Sequence, residues 1–190
     1  MKFCIAGLGL FTLVALAAGV ARADTYTIDP VHSIAIYRAG HMGVSHSWGR
    51  FDEMSGHIAL DEKIPEDNMF DLTINAGSIN SNAAKRDEHL KSPDFLNAKQ
   101  FPTITFKSTK VKPLDDKTFE VTGTLTLHGV SKPLTIKVER VGGGKGPMGG
   151  MVVGVDTSFQ IKRSDFDMKN MLEVIPDDVL LFVSIEAGHK

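Results

Sequence analysis

Histidines are the first residues here that could do chemistry, and there are seven: His32, His41, His46, His57, His89, His128 and His189. Metal coordination needs three or four converging donors, usually at short fixed spacing. His41, His46 and His57 lie close together, with His41 and His57 placed to face each other across a hairpin. Their intervals of five and eleven residues do not form a ligand signature. Hydrogen bonding near strand ends is the simpler role, with His189 in a solvated tail, so no metal site is assigned. Asp29, His32 and Ser33 have the composition of a nucleophilic triad. Ser33 adjoins His32 within a strand, however, with neither an exposed elbow nor an oxyanion loop, so no catalytic residue is assigned. Gly142 to Gly150 is glycine-rich but lacks the Gly-Lys-Ser/Thr ending and following helix of a phosphate loop; it is expected to be a flexible strand connection. Cys4 is the single cysteine.

The N-terminus defines the compartment. Lys2 supplies a positive start, Ile5 to Val20 is apolar, and Ala21-Arg22-Ala23 has the small-x-small form of a cleavage site. Residues 1–23 therefore read as a cleaved secretory signal, too short for the ~20 apolar residues of a membrane span. Residues 24–190 form the mature domain, with no transmembrane span expected and a periplasmic location expected. Without Cys4 it has no disulfide, thiol nucleophile or thiolate metal site. Nineteen Lys and Arg remain after Lys2 and Arg22 are removed, against 23 Asp and Glu, and no basic stripe stands out, which argues against nucleic acid.

The mature chain is built of alternation, the period of half-buried antiparallel strands. Eight apolar stripes can be traced: Ala35, Tyr37, Ala39; Phe51, Ile58, Leu60; Phe70, Leu72, Ile74, Ala76; Ile104, Phe106; Phe119, Val121, Gly123, Leu125, Leu127; Leu134, Ile136, Val138; Val153, Val155, Thr157, Phe159, Ile161; and Val179, Leu181, Val183, Ile185. About eight strands of seven to nine residues are predicted. A closed barrel buries one face of each and leaves no edge. The period breaks once, after the third or fourth strand, where Ala83 to Leu90 predicts a short helix. Asn80, Ser81 or Asn82 would cap it and Pro93 would stop it, with a second turn over Ser92 to Ala98. Small residues at Ala35, Ala39, Ala76 and Gly123 are expected to leave room inside. Such a barrel either fills with side chains or holds a ligand. The methionines, Met42, Met54, Met69, Met148, Met151, Met168 and Met171, suit either an adaptable pocket or an ordinary core.

Several blocks in order carry a resemblance: Ile28-Asp29-Pro30-Val31-His32-Ser33, Gly49-Arg50-Phe51, Ser78-Ile79-Asn80, Arg86-Asp87-Glu88-His89-Leu90, Asp94-Phe95 and Phe101-Pro102. Gly123 to Pro133 and Ile161-Lys162-Arg163-Ser164-Asp165-Phe166 continue it. With them the chain resembles the YceI-like family of secreted polyisoprenoid-binding proteins. The resemblance implies an all-β, eight-stranded antiparallel barrel like an extended lipocalin. It also implies a long apolar tunnel for a polyisoprenoid, a prenyl quinone tail or polyprenyl phosphate, or another long amphiphilic lipid. That lipid would be a ligand, with no cofactor required. Leu96-Asn97 departs from the family, which often has a second aromatic and an acid there, and Gly40 to Trp48 replaces an aliphatic run with His, Gly and Ser.

On this basis Tyr37, Phe51, Phe70, Leu72, Phe106, Val121, Leu125, Val155 and Leu181 are expected to line the tunnel. His41, Arg86, His89, Phe95 and Arg163 are expected near the mouth and head group, with Leu90, Phe95 and Phe101 sealing it. The planar fork of Arg86 suits a phosphate or quinone oxygen. Its competing role is an Arg–Asp network, with Asp94 or Asp165, tying the helix to the barrel. Non-catalytic binding, storage or transport of a long-chain isoprenoid lipid is the leading expectation. The alternatives are a fatty acid or fatty amide ligand, or an envelope enzyme acting on an isoprenoid lipid. A homodimer is left open.

Overall fold

The alternating stretches are antiparallel strands in a computed structural model that describes residues 23–61, 63–147 and 149–189. The signal segment, apart from Ala23, lies outside these residues, as does Met148. The strands are β1 (Asp24–Ile28), β2 (Ile34–His41), β3 (Ser45–Phe51), β4 (Met54–Leu60), β5 (Met69–Asn75), β6 (Ile79–Asn80), β7 (Thr103–Pro113), β8 (Thr118–Leu127), β9 (Val130–Lys145), β10 (Met151–Lys162) and β11 (Asp178–His189), with helix α1 (Ala84–Lys91) between β6 and β7.

Eight of them close a barrel in the order β1-β4-β5-β7-β8-β9-β10-β11, with β11 returning to β1. The helix follows the third of these eight. Strands β2, β3 and β6 are additional. The C-terminal part of β11 pairs with β1, through Thr27–Gly188 and Ile28–Ala187, while its N-terminal part pairs with β2 from Ser184–Ile34 to Val179–Ala39. The Asp29-Pro30 turn makes this possible, because proline supplies no ladder donor. The stripes at Ala35–Ala39 and Phe51 therefore belong to an extension that raises the wall at one end.

The second half of the chain departs from the predicted strand lengths. Strands β7 to β11 have 10 to 16 residues, not seven to nine. Gly142, Gly143 and Gly144 are not a loose connection. They pair in register with Gly154, Val153 and Val152, and the turn begins only after Lys145. Backbone bonds do not need side chains, so a glycine run can extend a strand whose partner is strong.

Local signals explain the junctions. His128 and Gly129 both have positive φ, 52° and 75°, and join β8 to β9 as a two-residue hairpin, the mirror-image turn that matches strand twist. An added Cβ on Gly129 would lie 2.4 Å from the Phe101 ring. Phe101 packs edge-on against His128 and is not on the cavity wall, so it does not seal the mouth as expected. Helix α1 is preceded by Ala83, which offers no side-chain cap. Asn80, Ser81 and Asn82 do not cap it, because the Ser81 hydroxyl is engaged by Arg86 and Asp87 instead. Ser92 ends the helix, its N–H and hydroxyl both donating to the His89 carbonyl.

The barrel is filled at one end and open at the other. Tyr26, Ile58, Val111, Phe119, Val121 and Val153 are buried and pack the closed end. Gly123 leaves no room, contrary to expectation: an added Cβ would sit 2.6 Å from the Phe106 ring. Ala76 is buried off the cavity, whereas Ala35 and Ala39 border it.

Candidate functional site

A cavity of about 560 Å³ occupies the open half, within the ~300–1,000 Å³ usual for ligand pockets. Its wall is apolar because strands β5, β7, β8, β9, β10, β11 and β2 each turn their inward stripe toward it. Tyr37, Phe51, Phe70, Leu72, Phe106, Leu125, Val155 and Leu181 all border it. Val121 does not. It is 0% exposed within the filled end, so it is a core residue and not part of the wall.

The mouth lies between α1, the β2–β3 tip and the segment after β10. Lys85, Arg86 and His89 reach the cavity from α1, and His41, Ser45 and His46 from the tip. Leu90 and Phe95 border it as well. Met168 and Met171, two of the methionines that suit an adaptable pocket, border it too, as do Leu96 and Ile175, of which Ile175 was not singled out from the sequence. Leu96, of the Leu96-Asn97 pair noted in the sequence, thus lies on the cavity itself. The tip and the segment after β10 are joined by the Met42 N–H donating to the Val174 carbonyl at 2.8 Å.

Arg86 is exposed on the mouth side. Its Nε donates to Ser81 Oγ and its Nη2 to the Ser81 carbonyl, both at 2.7 Å. Asp87 accepts from the Ser81 hydroxyl and from the Ser81 N–H. These bonds, the hydroxyl one foremost, hold the Asp87 carboxyl below the usual carboxylate range. Arg86 and Asp87 thus anchor the helix through buried Ser81 and not through Asp94 or Asp165. Asp94 instead accepts from His89 at 2.9 Å.

Arg163 borders the cavity but is 4% exposed. Its Nη1 donates to the carbonyls of Met168 and Asn170, its Nη2 to Ile175 and its Nε to Pro176. Burial pushes its pKa down, with Asp177 and Glu173 opposing. The guanidinium therefore folds the segment after β10 over the mouth, and its donors are largely taken up by these carbonyls.

The other histidines are scattered. His41 pairs with Ser45 and His57 with Asp71, so these two do not face each other across a hairpin. Ser33 Oγ donates to the Glu186 carbonyl and accepts its N–H, and neither bond involves His32. His32 Nδ1 instead lies 2.8 Å from Asp29 Oδ2 and 3.9 Å from Glu186 Oε1, the one trio of potential metal donors that converges among the described residues.

That clasp predicts a pH dependence. The hydrogen bond to Asp29 raises the His32 pKa above its ordinary 6.5, and the same bond lowers Asp29 below 3.8. A raised folded-state value stabilises fully below the unfolded value and fades as pH climbs through it; a lowered carboxyl does the reverse on the acid side. The wild type should therefore exceed His32→Ala in melting temperature most near pH 5, with the difference gone by about pH 9. Both groups are exposed, so the effect is small. A difference that does not change with pH would contradict the clasp.

Comparison with known proteins places this geometry among relatives. The model of the YceI-like domain matches residues 26–187. A UPF0312 protein of Pseudomonas aeruginosa is 42% identical over 182 residues, spanning 95% of this chain and 92% of that protein. The crystal structure of the Campylobacter jejuni YceI protein superposes with a TM-score of 0.72 at 30% identity, covering 96% of this chain and 99% of that one. A polyisoprenoid-binding domain from Saccharophagus degradans shares the fold, with a TM-score of 0.67 at 18% identity over 87% of this chain and 98% of its own.

Proposed function

The chain belongs to the YceI-like family, and on that premise we propose that it is a non-catalytic carrier or store for a long-chain isoprenoid lipid. A prenyl quinone or polyprenyl phosphate is the ligand class, and the periplasm is the location, reached through cleavage of residues 1–23. The observation that carries this reading is the one-ended apolar cavity. A barrel that needed only stability would be packed to native density, yet this one is packed around Val121 and left open around Leu125 on the same strand. The description of the Saccharophagus degradans domain as polyisoprenoid-binding points the same way. Polar groups on the wall are few away from the mouth, and Thr157 donates its hydroxyl to the Lys137 carbonyl. Burial of a tail, at ~0.8 kcal/mol per methylene, then supplies most of the affinity.

The test is native mass spectrometry of the protein from its own envelope, with extraction of the bound material. The expected result is a polypeptide beginning at Asp24 and carrying a prenylated lipid. A fatty acid or fatty amide in its place would move the proposal to that ligand class. A ligand-free protein retained in the cytoplasm would refute it. The same spectrum reads the oligomeric state.

A further inference from the structure

We propose that Tyr37 is the head-group donor of the cavity, supplying a hydrogen bond to an acceptor oxygen at the polar end of the bound lipid. This rests on the isoprenoid reading above and deepens it. Tyr37 lies in β2, opposite Gly49 of β3. Its ring crosses that glycine so closely that an added Cβ would lie 2.4 Å from a ring carbon and 2.6 Å from the hydroxyl oxygen. Gly49 therefore fixes where the phenol points. The residue is 8% exposed and borders the cavity, and its hydroxyl makes no hydrogen bond among the described residues.

A buried hydroxyl without a partner is costly, and native proteins rarely keep one unless something else satisfies it. Ser81 lies near enough to act on the phenol. Geometry and not saturation keeps the two apart: the Ser81 hydroxyl accepts from Arg86 Nε and donates to Asp87 Oδ1, and no bond of proper geometry joins it to Tyr37. Arg86, which also borders the cavity, places its positive charge close by. Its Nη1 makes no hydrogen bond among the described residues, while Nε and Nη2 are held by Ser81. The phenol O–H of Tyr37 and the guanidinium of Arg86, two residues that border the same cavity, both donate. Their common complement is an acceptor oxygen: a quinone carbonyl or a phosphate oxygen. A hydrocarbon end offers neither. Arg163, the other arginine on the wall, cannot play this part, since four backbone carbonyls occupy it.

Tyr37→Phe removes the hydroxyl and keeps the ring over Gly49. Three probes share one tetraprenyl tail: a benzoquinone, a monophosphate and the hydrocarbon without a head group. Binding of each to wild type and variant is measured by titration, with melting temperature in parallel. The expected result is a roughly three- to tenfold loss for the quinone, the phosphate or both, with hydrocarbon affinity unchanged and the ligand-free melting temperature not lowered. Which oxygen probe loses affinity identifies the source of the acceptor. Unchanged affinity for both oxygen probes overturns the proposal and leaves the carrier reading intact. Equal loss for all three, with a lowered melting temperature, makes Tyr37 structural and also overturns it. If wild type binds none of the probes, the carrier reading fails and takes this proposal with it.

Discussion

Arg163→Met should lower the unfolding free energy by about 3 kcal/mol, the largest loss expected from any single substitution at the mouth. The guanidinium is 4% exposed and donates to four carbonyls between Met168 and Pro176. Methionine fills the volume but donates nothing. Each carbonyl left dry costs ~1–3 kcal/mol, offset where water reaches it. Arg163→Lys should recover little, because a single ammonium cannot reproduce the planar fork. Phe95, whose ring lies 6.0 Å from the guanidinium carbon, loses its cation contact in the methionine variant. Urea denaturation measures the loss. Amide exchange should show it concentrated in residues 167–177. A change below about 1 kcal/mol would mean that water satisfies this segment equally well.

Substituting Leu125→Trp or Val155→Trp should abolish most long-tail binding while the barrel still folds. Both residues border the cavity, and its 560 Å³ gives the indole somewhere to go. Overpacking a filled core costs ~1–3 kcal/mol or more, but here the ring enters open space. The lost tail contacts should weaken a long prenyl quinone at least about tenfold, since two displaced methylenes already account for ~1.6 kcal/mol. Val121→Trp is the contrasting case. It lies on the same strand at 0% exposure, off the cavity, so its cost should fall on stability and not on binding. If Leu125→Trp and Val121→Trp behaved alike in both measurements, the division of the barrel into filled and open halves would be wrong.

That division also marks where the sequence stops being legible. Alternation determines which face of a strand a side chain occupies, so Val121 and Leu125 read identically from their spacing. It does not determine height along the barrel. Height depends on which neighbours reach across, and Tyr26 of β1 and Phe119 of β8 fill the lower end from distant parts of the chain. The closed barrel and the helical excursion were readable because both rest on local period. The split edge of β11 was not, since it depends on two separate strands meeting one partner. Arg163 was legible as a candidate near the mouth, but its committed role was not. Backbone carbonyls accept its protons, and a carbonyl leaves no trace in residue type. The unpartnered hydroxyl of Tyr37 was hidden for a similar reason: its position depends on the absence of a side chain at Gly49.

The central claim is that a buried tail supplies the affinity, and a length series tests it most directly. Prenyl quinones with one head group and increasing numbers of isoprene units are titrated against the wild-type protein. Affinity should rise steeply with each unit, about fourfold for every methylene equivalent newly buried, and level off once the cavity is full. Equal affinity for the shortest and longest tails would contradict the account and place recognition in the head group alone.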